Sequence, residues 1–255
     1  MVDKTFVKLS NFRDLGGMKN QEGKSIKPYK LLRSGQLYDL PSQEIQTLET
    51  VYQLKTIVDL RRPIEAEKSP NSEIQGATNH LLDVSGGAEY STTQEAFLEY
   101  LSNVSADESL MRSYESFILS DNAISQYRQF FDILLNQEGG SLLWHCFAGK
   151  DRTGIAALYL LTALNVDDDT IMEDYLLTNE LREHDNQIRI NELREQGVSE
   201  PLVQNMYEML RVKESYLKHA IKLIDDNFGN RTNFLYNKLD LDDSKIAKLY
   251  HMYLD

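Results

Sequence analysis

The segment from Ser141 to Ile155 constrains the fold more than any other stretch of the chain. It contains an apolar run, residues 142–144, that is typical of a buried strand. A glycine-bearing loop follows, and an almost wholly apolar segment, residues 153–164, then predicts a buried helix. The only cysteine, Cys146, lies at this junction, and Arg152 follows six residues later. This order predicts an α/β fold with a thiol at the end of a buried strand.

The loop between the cysteine and the arginine has the features of an anion-binding site. Successive N–H groups in a sharp turn point inward and form a nest for an anion. The helix that begins near Thr153 directs the positive end of its dipole at the same place, and a guanidinium can bind two phosphate oxygens at once. We therefore predict that phosphate is bound by the loop residues Phe147, Ala148, Gly149, Lys150, Asp151 and Arg152.

Cys146 is the predicted nucleophile of this site. A thiol in such a positive field is expected to ionise at neutral pH, and the thiolate can attack a bound phosphate to form a phosphocysteine. The hydroxyl of Thr153 is expected to donate a hydrogen bond to the sulfur and ease its departure. The alternative is a structural cysteine that precedes a helix by chance. That alternative does not account for His145, Gly149 and Gly154 around the Cys-x5-Arg spacing.

Three motifs resemble a known family. The sequence His-Cys-Phe-Ala-Gly-Lys-Asp-Arg-Thr-Gly, residues 145–154, resembles the signature of the cysteine-dependent protein tyrosine phosphatase superfamily. Its second half resembles the bacterial branch of tyrosine phosphatases that also act on phosphoinositides, and residues 11–17 and 58–61 are similar to other motifs of that branch. The resemblance implies a tyrosine-phosphatase-like α/β fold with a central, mostly parallel sheet flanked by helices. A helical insertion or lid is expected after the helix that follows the loop.

The same resemblance implies a phosphomonoester hydrolase that acts on phosphotyrosine proteins, with phosphoinositides as a further candidate substrate class. The alternative is a catalytically weak phosphate-recognition module, a pseudophosphatase. The intact Cys146, Asp151, Arg152 and Thr153 argue against that alternative.

Cleavage of a phosphomonoester also needs a proton donor for the leaving group. The sequence has one tryptophan, in the strand before the cysteine, so the Trp-Pro-Asp loop of the large tyrosine phosphatases is absent. The candidate acids are Asp151, Asp83 and Asp121. We choose Asp151 because it lies beside the phosphate without any moving loop, and because the resembled branch also carries an aspartate there. The alternative is that the Asp151 carboxylate only reduces the positive charge of the loop and takes no part in proton transfer.

Two residues are predicted to support the loop. Asp59, near the end of a β-branched run, is expected either to orient Arg152, as the resemblance also suggests, or to pair with the nearby Arg61 or Arg62. His145 is expected to point away from the thiol and to order the loop by hydrogen bonds rather than to titrate in catalysis.

Lys150 shapes the expectation for the substrate. A second cation within the loop suits an additional phosphate, such as one on an inositol ring. The alternative is a solvated lysine at the rim of the loop.

The rest of the chain alternates short strands and helices and then becomes helical. Strands are predicted at residues 30–34, 56–60 and 77–82, and helices from residue 41 and at 94–103, 108–119, 121–135, 167–181, 199–228 and 243–253. The turn-rich residues 11–17 are expected to cap the fold rather than to act in catalysis. Residues 83–89 predict a flexible loop that borders the site.

The charged segment from residue 167 to residue 213 is longer than a minimal phosphatase domain needs. We interpret it either as a helical lid over the site or as core, because methionines at helical spacing, such as Met206 and Met209, usually lie in the core. The chain has no internal repeat or low-complexity linker, so residues 1–255 are expected to form a single domain.

Composition bounds the partners. The chain has 255 residues and a formal net charge of −13, which argues against nucleic acid and against anionic membrane surfaces. No run reaches transmembrane length. The scattered histidines have no ligand spacing and predict no metal site, and we expect no cofactor. One cysteine suits a reducing compartment, so a cytoplasmic protein is expected, with secretion after removal of a leader as the alternative. We expect a monomer.

Overall fold

A computed structural model of the protein describes residues 5–86 and 94–255. Within these residues, five strands form one sheet in the order β1-β2-β5-β3-β4. The strands are β1 (Arg13–Asp14), β2 (Leu31–Ser34), β3 (Leu54–Asp59), β4 (Thr78–Leu81) and β5 (Ser141–His145). β1 pairs with β2 in antiparallel fashion, and every other neighbouring pair is parallel. The prediction of a mostly parallel sheet is therefore confirmed.

The strand before the cysteine lies at the centre of this sheet. All five residues of β5 are buried, as expected for an apolar strand covered on both faces. In the register of the three central strands, His145 of β5 lies beside Ser34 of β2 and Asp59 of β3. Because these strands are parallel, their carboxyl ends meet at one edge, where ligands bind in open α/β sheets.

Helices cover both faces of the sheet. They are α1 (Ser42–Thr50), α2 (Pro63–Lys68), α3 (Gln94–Asn103), α4 (Ala106–Leu119), α5 (Asp121–Leu135), α6 (Asp151–Ala163), α7 (Asp168–Glu195), α8 (Glu200–Leu210), α9 (Glu214–Phe228), α10 (Arg231–Asn237) and α11 (Asp243–Tyr253). α6 is buried at 10 of its 13 residues because it lies between the sheet and the outer helices. The predictions of 94–103 and 121–135 match α3 and α5 from end to end.

Two predictions of helix boundaries are wrong. The predicted helix 199–228 is two helices, α8 and α9. They separate where the Asn179 side chain bonds both the N–H and the C=O of Val212, each at 2.9 Å, and so takes the place of helical partners. α7 does not end near Leu181 but runs from Asp168 to Glu195, a length of 28 residues. The buried face of α7 includes polar residues, among them Arg182 and Asn186. The helical periodicity of apolar residues therefore ends before the helix does, and a prediction based on it gives too short a helix.

α3, the second half of α7 and α8 share a small hydrophobic cluster of their own. Its buried members are Leu101, Ile190, Leu193, Val203 and Met206. Asn205 ties this group to the turn before α4, because its side chain donates to the carbonyls of Leu101 and Val104 at 2.7 and 2.9 Å. We call α3, α8 and the second half of α7 the helical cover.

The predicted flexible loop 83–89 is described only as far as Gly86, and residues 87–89 lie outside the described part of the chain. Across the described ranges, no helix combines the length and the apolar character needed to cross a bilayer.

Candidate active site

The loop that carries the cysteine connects the end of β5 to the start of α6. The chain turns between Cys146 and Asp151, and α6 begins at Asp151, two residues before the predicted start. Gly149 has a φ of 68°, and a Cβ at this position would lie 2.2 Å from the carbonyl oxygen of Ser34. Only glycine therefore fits where the loop crosses the end of β2.

The carbonyl groups of the loop are held from the outside. The Asn11 side chain donates to the carbonyls of Ala148 and Gly149 at 3.0 and 2.8 Å, and Arg33 Nη2 donates to the Gly149 carbonyl at 3.1 Å. The N–H groups of Phe147, Ala148 and Gly149 have no acceptor among the described residues. This leaves three adjacent donors for an anion, as in a nest.

A buried ion network stands behind these contacts. Asp174 of α7 bonds Arg13 Nε at 2.7 Å and Arg33 Nη1 at 2.5 Å, and Arg13 Nη1 bonds the Asn11 side chain at 2.6 Å. Burial alone would raise the pKa of Asp174, but the two guanidinium groups outweigh it and lower that pKa. Burial and the neighbouring Arg13 lower the pKa of Arg33 to about 10. The turn at residues 11–17 thus braces the loop through Asn11 and Arg13.

Arg152 is oriented by Glu65 of α2, and the predicted contact with Asp59 is wrong. Arg152 Nη1 and Nη2 bond the two carboxylate oxygens of Glu65 at 2.7 and 3.0 Å, which is a bidentate pair. Burial alone would raise the pKa of Glu65, but Arg152 outweighs it and lowers that pKa to about 2. Burial opposes the charge of Arg152, yet the charges of Cys146 and Glu65 raise its pKa.

Asp59 pairs instead with Arg61, the alternative that the sequence left open. The Arg61 Nη2 and Nε atoms bond its carboxylate at 2.6 and 2.8 Å, and both side chains are buried. The reason is local, because a two-residue spacing after the end of β3 brings Arg61 back over Asp59. The Asp59 carboxylate is also 3.7 Å from Nε2 of the buried His145. The Nδ1 atom of His145 lies 3.1 Å from the Cys146 carbonyl oxygen.

Asp151 lies in the first turn of α6, where it is partly exposed. Tyr114 Oη donates to its carboxylate at 3.0 Å, and Lys150 Nζ lies 3.3 Å from the other oxygen. A second tyrosine hydroxyl, that of Tyr175, lies 2.5 Å from Tyr114 Oη. Burial and the neighbouring Asp151 raise the pKa of Tyr114, so its hydroxyl stays protonated and acts as a donor.

Lys150 is neither a free phosphate ligand nor a solvated rim residue. Its side chain is almost fully buried, and Nζ donates to the carbonyls of Met209 and Arg211 at 2.7 and 3.2 Å. These carbonyls belong to the end of α8, where helical partners run out. Both sequence-based interpretations of Lys150 are therefore corrected, since the ammonium joins the phosphate loop to the helical cover.

Thr153 is buried directly after the arginine, and its hydroxyl has no hydrogen-bond partner among the described residues. The predicted hydrogen bond to the sulfur is thus not formed in this structure. The backbone here is held by buried rings, because Trp144 Nε1 donates to the Thr153 carbonyl and Tyr127 Oη donates to the Arg152 carbonyl, each at 3.1 Å.

A cavity of about 310 Å³ opens over the thiol. Its floor is the loop from Cys146 to Arg152, and its walls are mostly apolar side chains of α3, α4 and α8: Phe97, Leu110, Phe117, Met206, Met209 and Leu210. Of the three candidate acids, Asp151 lines the cavity, whereas Asp83 bonds the Ser85 N–H and Asp121 begins α5. Across the described residues, no cluster of three or more His, Cys, Asp or Glu side chains could hold a metal ion.

The comparison with known families decides the assignment. The sequence profile of the tyrosine phosphatase family matches residues 4–255. The chain belongs to the tyrosine phosphatase family. As a member it is a protein tyrosine phosphatase, and the resemblance and fold class predicted from sequence are confirmed.

Bacterial relatives agree with this assignment. The chain is 32% identical over 253 residues to a Cupriavidus necator protein provisionally named a tyrosine-protein phosphatase, covering 99% of this chain and 88% of the relative. It is 29% identical over 262 residues to the triple specificity protein phosphatase PtpB of Mycobacterium tuberculosis, covering 88% of this chain and 90% of the relative. A shorter match, 42% identical over 53 residues, covers 21% of this chain and 18% of a tyrosine-protein phosphatase of Nostoc commune.

Several residues around the site were missed from sequence. Glu65 and Tyr114 carried no local signal, because their partners lie 87 and 37 positions away. Asn11 lies within the motif at residues 11–17, but the sequence does not show that its side chain bonds the phosphate loop more than 130 positions away. Asp174 follows the acidic start of α7 and looked like one more helix carboxylate.

Proposed function

We propose that this phosphatase hydrolyses phosphomonoesters through a phosphocysteine formed on Cys146. The observation that carries the proposal is the set of three N–H groups, at residues 147–149, that have no acceptor in the described part of the chain and lie beside a thiol and a braced Arg152. A phosphate placed there would receive hydrogen bonds from the loop and from the guanidinium. Such preorganised donors stabilise the charge of a phosphoryl-transfer transition state.

Arg152 retains donors for this task. Glu65 and the Leu60 carbonyl occupy both N–H groups of Nη1 and one N–H group of Nη2. Within residues 5–86 and 94–255 nothing accepts from the Nε–H or the second Nη2–H, and these two donors form a fork for two equatorial phosphate oxygens. Glu65 fixes the plane of that fork, which supports a positioning role for Glu65.

The first chemical step is attack by the thiolate. As the bond between Cys146 Sγ and phosphorus forms, the bond from phosphorus to the leaving oxygen breaks, and Asp151 gives its proton to that oxygen. In the second step the Asp151 carboxylate takes a proton from water, the water oxygen bonds phosphorus, and the thiolate leaves. The buried Tyr114 hydroxyl supports the position of Asp151 in both steps.

Phosphotyrosine proteins are the substrates that the cavity supports best. A phenyl ring above the loop would pack against apolar side chains such as Phe117 and Met206, which line the cavity. Phosphoinositides form a further candidate class, supported by the triple specificity in the name of the Mycobacterium tuberculosis relative. Lys150 gives this class no direct support while it is bonded to α8.

Hydrolysis of p-nitrophenyl phosphate by wild type, Cys146→Ser and Asp151→Asn tests the enzyme and its acid. Wild type should release phosphate and Cys146→Ser should not. Asp151→Asn should slow alkyl phosphates, which have poor leaving groups, far more than aryl phosphates. An equal loss on both substrates would remove Asp151 as the acid. If wild type binds phosphotyrosine peptides but releases no phosphate, the phosphate-recognition module is the correct reading.

The remaining proposals concern organisation. We propose a single domain over residues 1–255 in which the part of the segment 167–213 that belongs to the helical cover, namely the second half of α7 and α8, acts as a lid. The location of the Lys150 ammonium beneath the end of α8 supports the lid. We also propose a cytoplasmic location and the absence of a cofactor on the grounds of composition given above, and we propose a monomer.

A further inference from the structure

Arg182 of α7 is a buried cation that faces the candidate active site. Its side chain lines the same cavity as Cys146, and only 9% of its surface is exposed. Among the described residues, the guanidinium donates one hydrogen bond, from Nη1 to Ser10 Oγ at 2.9 Å, and its Nε–H has no acceptor. A guanidinium has five N–H donors, so most of the hydrogen-bonding capacity of this buried group is unused.

The charge of Arg182 is also incompletely balanced. The one carboxylate that the described residues place within 4 Å of the guanidinium is that of Asp185, which lies 3.7 Å from Nη1 and is 37% exposed, so it forms a loose pair rather than a bidentate one. Burial lowers the pKa of Arg182, and the charges of Asp185, Cys146 and Asp151 only partly oppose this effect. A buried cation in this condition gains from an anion that enters the cavity.

The other cations around the cavity are already engaged. Lys150 bonds two carbonyls of the helical cover, Arg152 is braced by Glu65, and Arg62 Nε also contacts Glu65 at 3.3 Å. Arg182 is therefore a buried cation of the described cavity lining whose guanidinium donors mostly lack a protein acceptor among the described residues.

We propose that Arg182 binds a carboxylate of the substrate, on a residue next to the phosphotyrosine of an acidic phosphopeptide. This inference rests on the proposed phosphatase function. A peptide is favoured over a second phosphate on a lipid headgroup because the apolar cavity walls suit an aromatic ring. Phe117 and Met206 are among these walls.

The test compares pairs of phosphotyrosine peptides that differ only in glutamate against glutamine at one flanking position. The ratio of kcat/KM for the two peptides of each pair is measured in wild type, Arg182→Met, Arg182→Lys and Arg189→Met. Arg189 is the matched control, because it lies on the same helix but bonds Glu192 and Gln94 outside the cavity. p-Nitrophenyl phosphate, which has no carboxylate, measures the chemistry alone.

Wild type and Arg189→Met should prefer the glutamate peptide by about tenfold at the best position, through a lower KM, as expected for one charge-assisted pair. The ratio should fall to about one in Arg182→Met, and Arg182→Lys should restore part of it. An unchanged ratio in Arg182→Met would overturn the inference. The inference would also be overturned if Arg182→Met lowered kcat/KM only for a bisphosphorylated inositol headgroup and not for the glutamate peptides. If wild type does not hydrolyse p-nitrophenyl phosphate, the proposed function is wrong. If wild type hydrolyses it but shows no difference in kcat/KM between the glutamate and glutamine peptides, only the inference about Arg182 is wrong.

Discussion

Replacement of Asp174 by asparagine should be among the most damaging single changes that leave the reacting groups untouched. The carboxylate is buried and bonds Arg13 and Arg33, whose side chains are also buried. Asp174→Asn keeps the shape but leaves two buried guanidinium groups without their shared counter-charge. Removal of one partner from a buried ion network costs about 3–5 kcal/mol. For a chain of this length, this corresponds to a fall in Tm of roughly 10 °C.

Urea unfolding followed by circular dichroism measures this cost, with Asp226→Asn as the control. Asp226 forms an exposed pair with Lys222, and its loss should cost less than about 0.5 kcal/mol. Asp174→Asn should also lower kcat, because Arg33 holds the Gly149 carbonyl of the phosphate loop. A variant within about 1 kcal/mol of wild type, or one with reduced stability and unchanged kcat, would refute the account of the brace.

Three further changes test other contacts of the site. Glu65→Gln should cost about 3 kcal/mol at pH 7 by the shift of the Glu65 pKa from 4.5 to about 2. The Glu65 carboxylate stabilises the fold above its unfolded pKa, and this stabilisation is lost as the pH falls from 4.5 toward 2. In urea titrations, the free energy of unfolding of the variant should therefore fall less steeply with acid than that of wild type. The variant should also bind phosphate more weakly, because Arg152 loses its brace. Lys150→Met should free the end of α8, seen as faster amide exchange in residues 200–212, and unchanged exchange would exclude the link to the cover. Tyr114→Phe should lower kcat about tenfold for alkyl phosphates by loosening Asp151, and a purely thermal loss with normal kinetics would show that the hydroxyl serves stability alone.

The chemistry at the centre of the site could be predicted from sequence because it is local. Cys146, the loop and Arg152 lie within seven consecutive residues, and a buried strand before them and a buried helix after them fix their relative positions. The choice of Asp151 among three aspartates agrees with its place in the cavity lining, although its role as the acid stays a prediction.

The contacts that hold this centre could not be predicted because they join distant parts of the chain. One of the two roles expected for Asp59 places the partner of Arg152 on β3, but that partner is Glu65 on α2. The partner of Lys150 is a pair of backbone carbonyls about 60 residues away. Backbone carbonyls carry no residue-type signal. α7 was predicted too short for a related reason, since polar side chains that bind one another occupy its buried face.

The measurement that most directly tests the central claim is rapid acid quench of turnover, followed by mass spectrometry of the peptide that carries Cys146. With p-nitrophenyl phosphate, whose leaving group needs no acid, Asp151→Asn should accumulate a phosphate adduct on Cys146, because the water of the second step lacks its base. Turnover without an adduct on Cys146, or an adduct on another residue such as His145, would contradict the account.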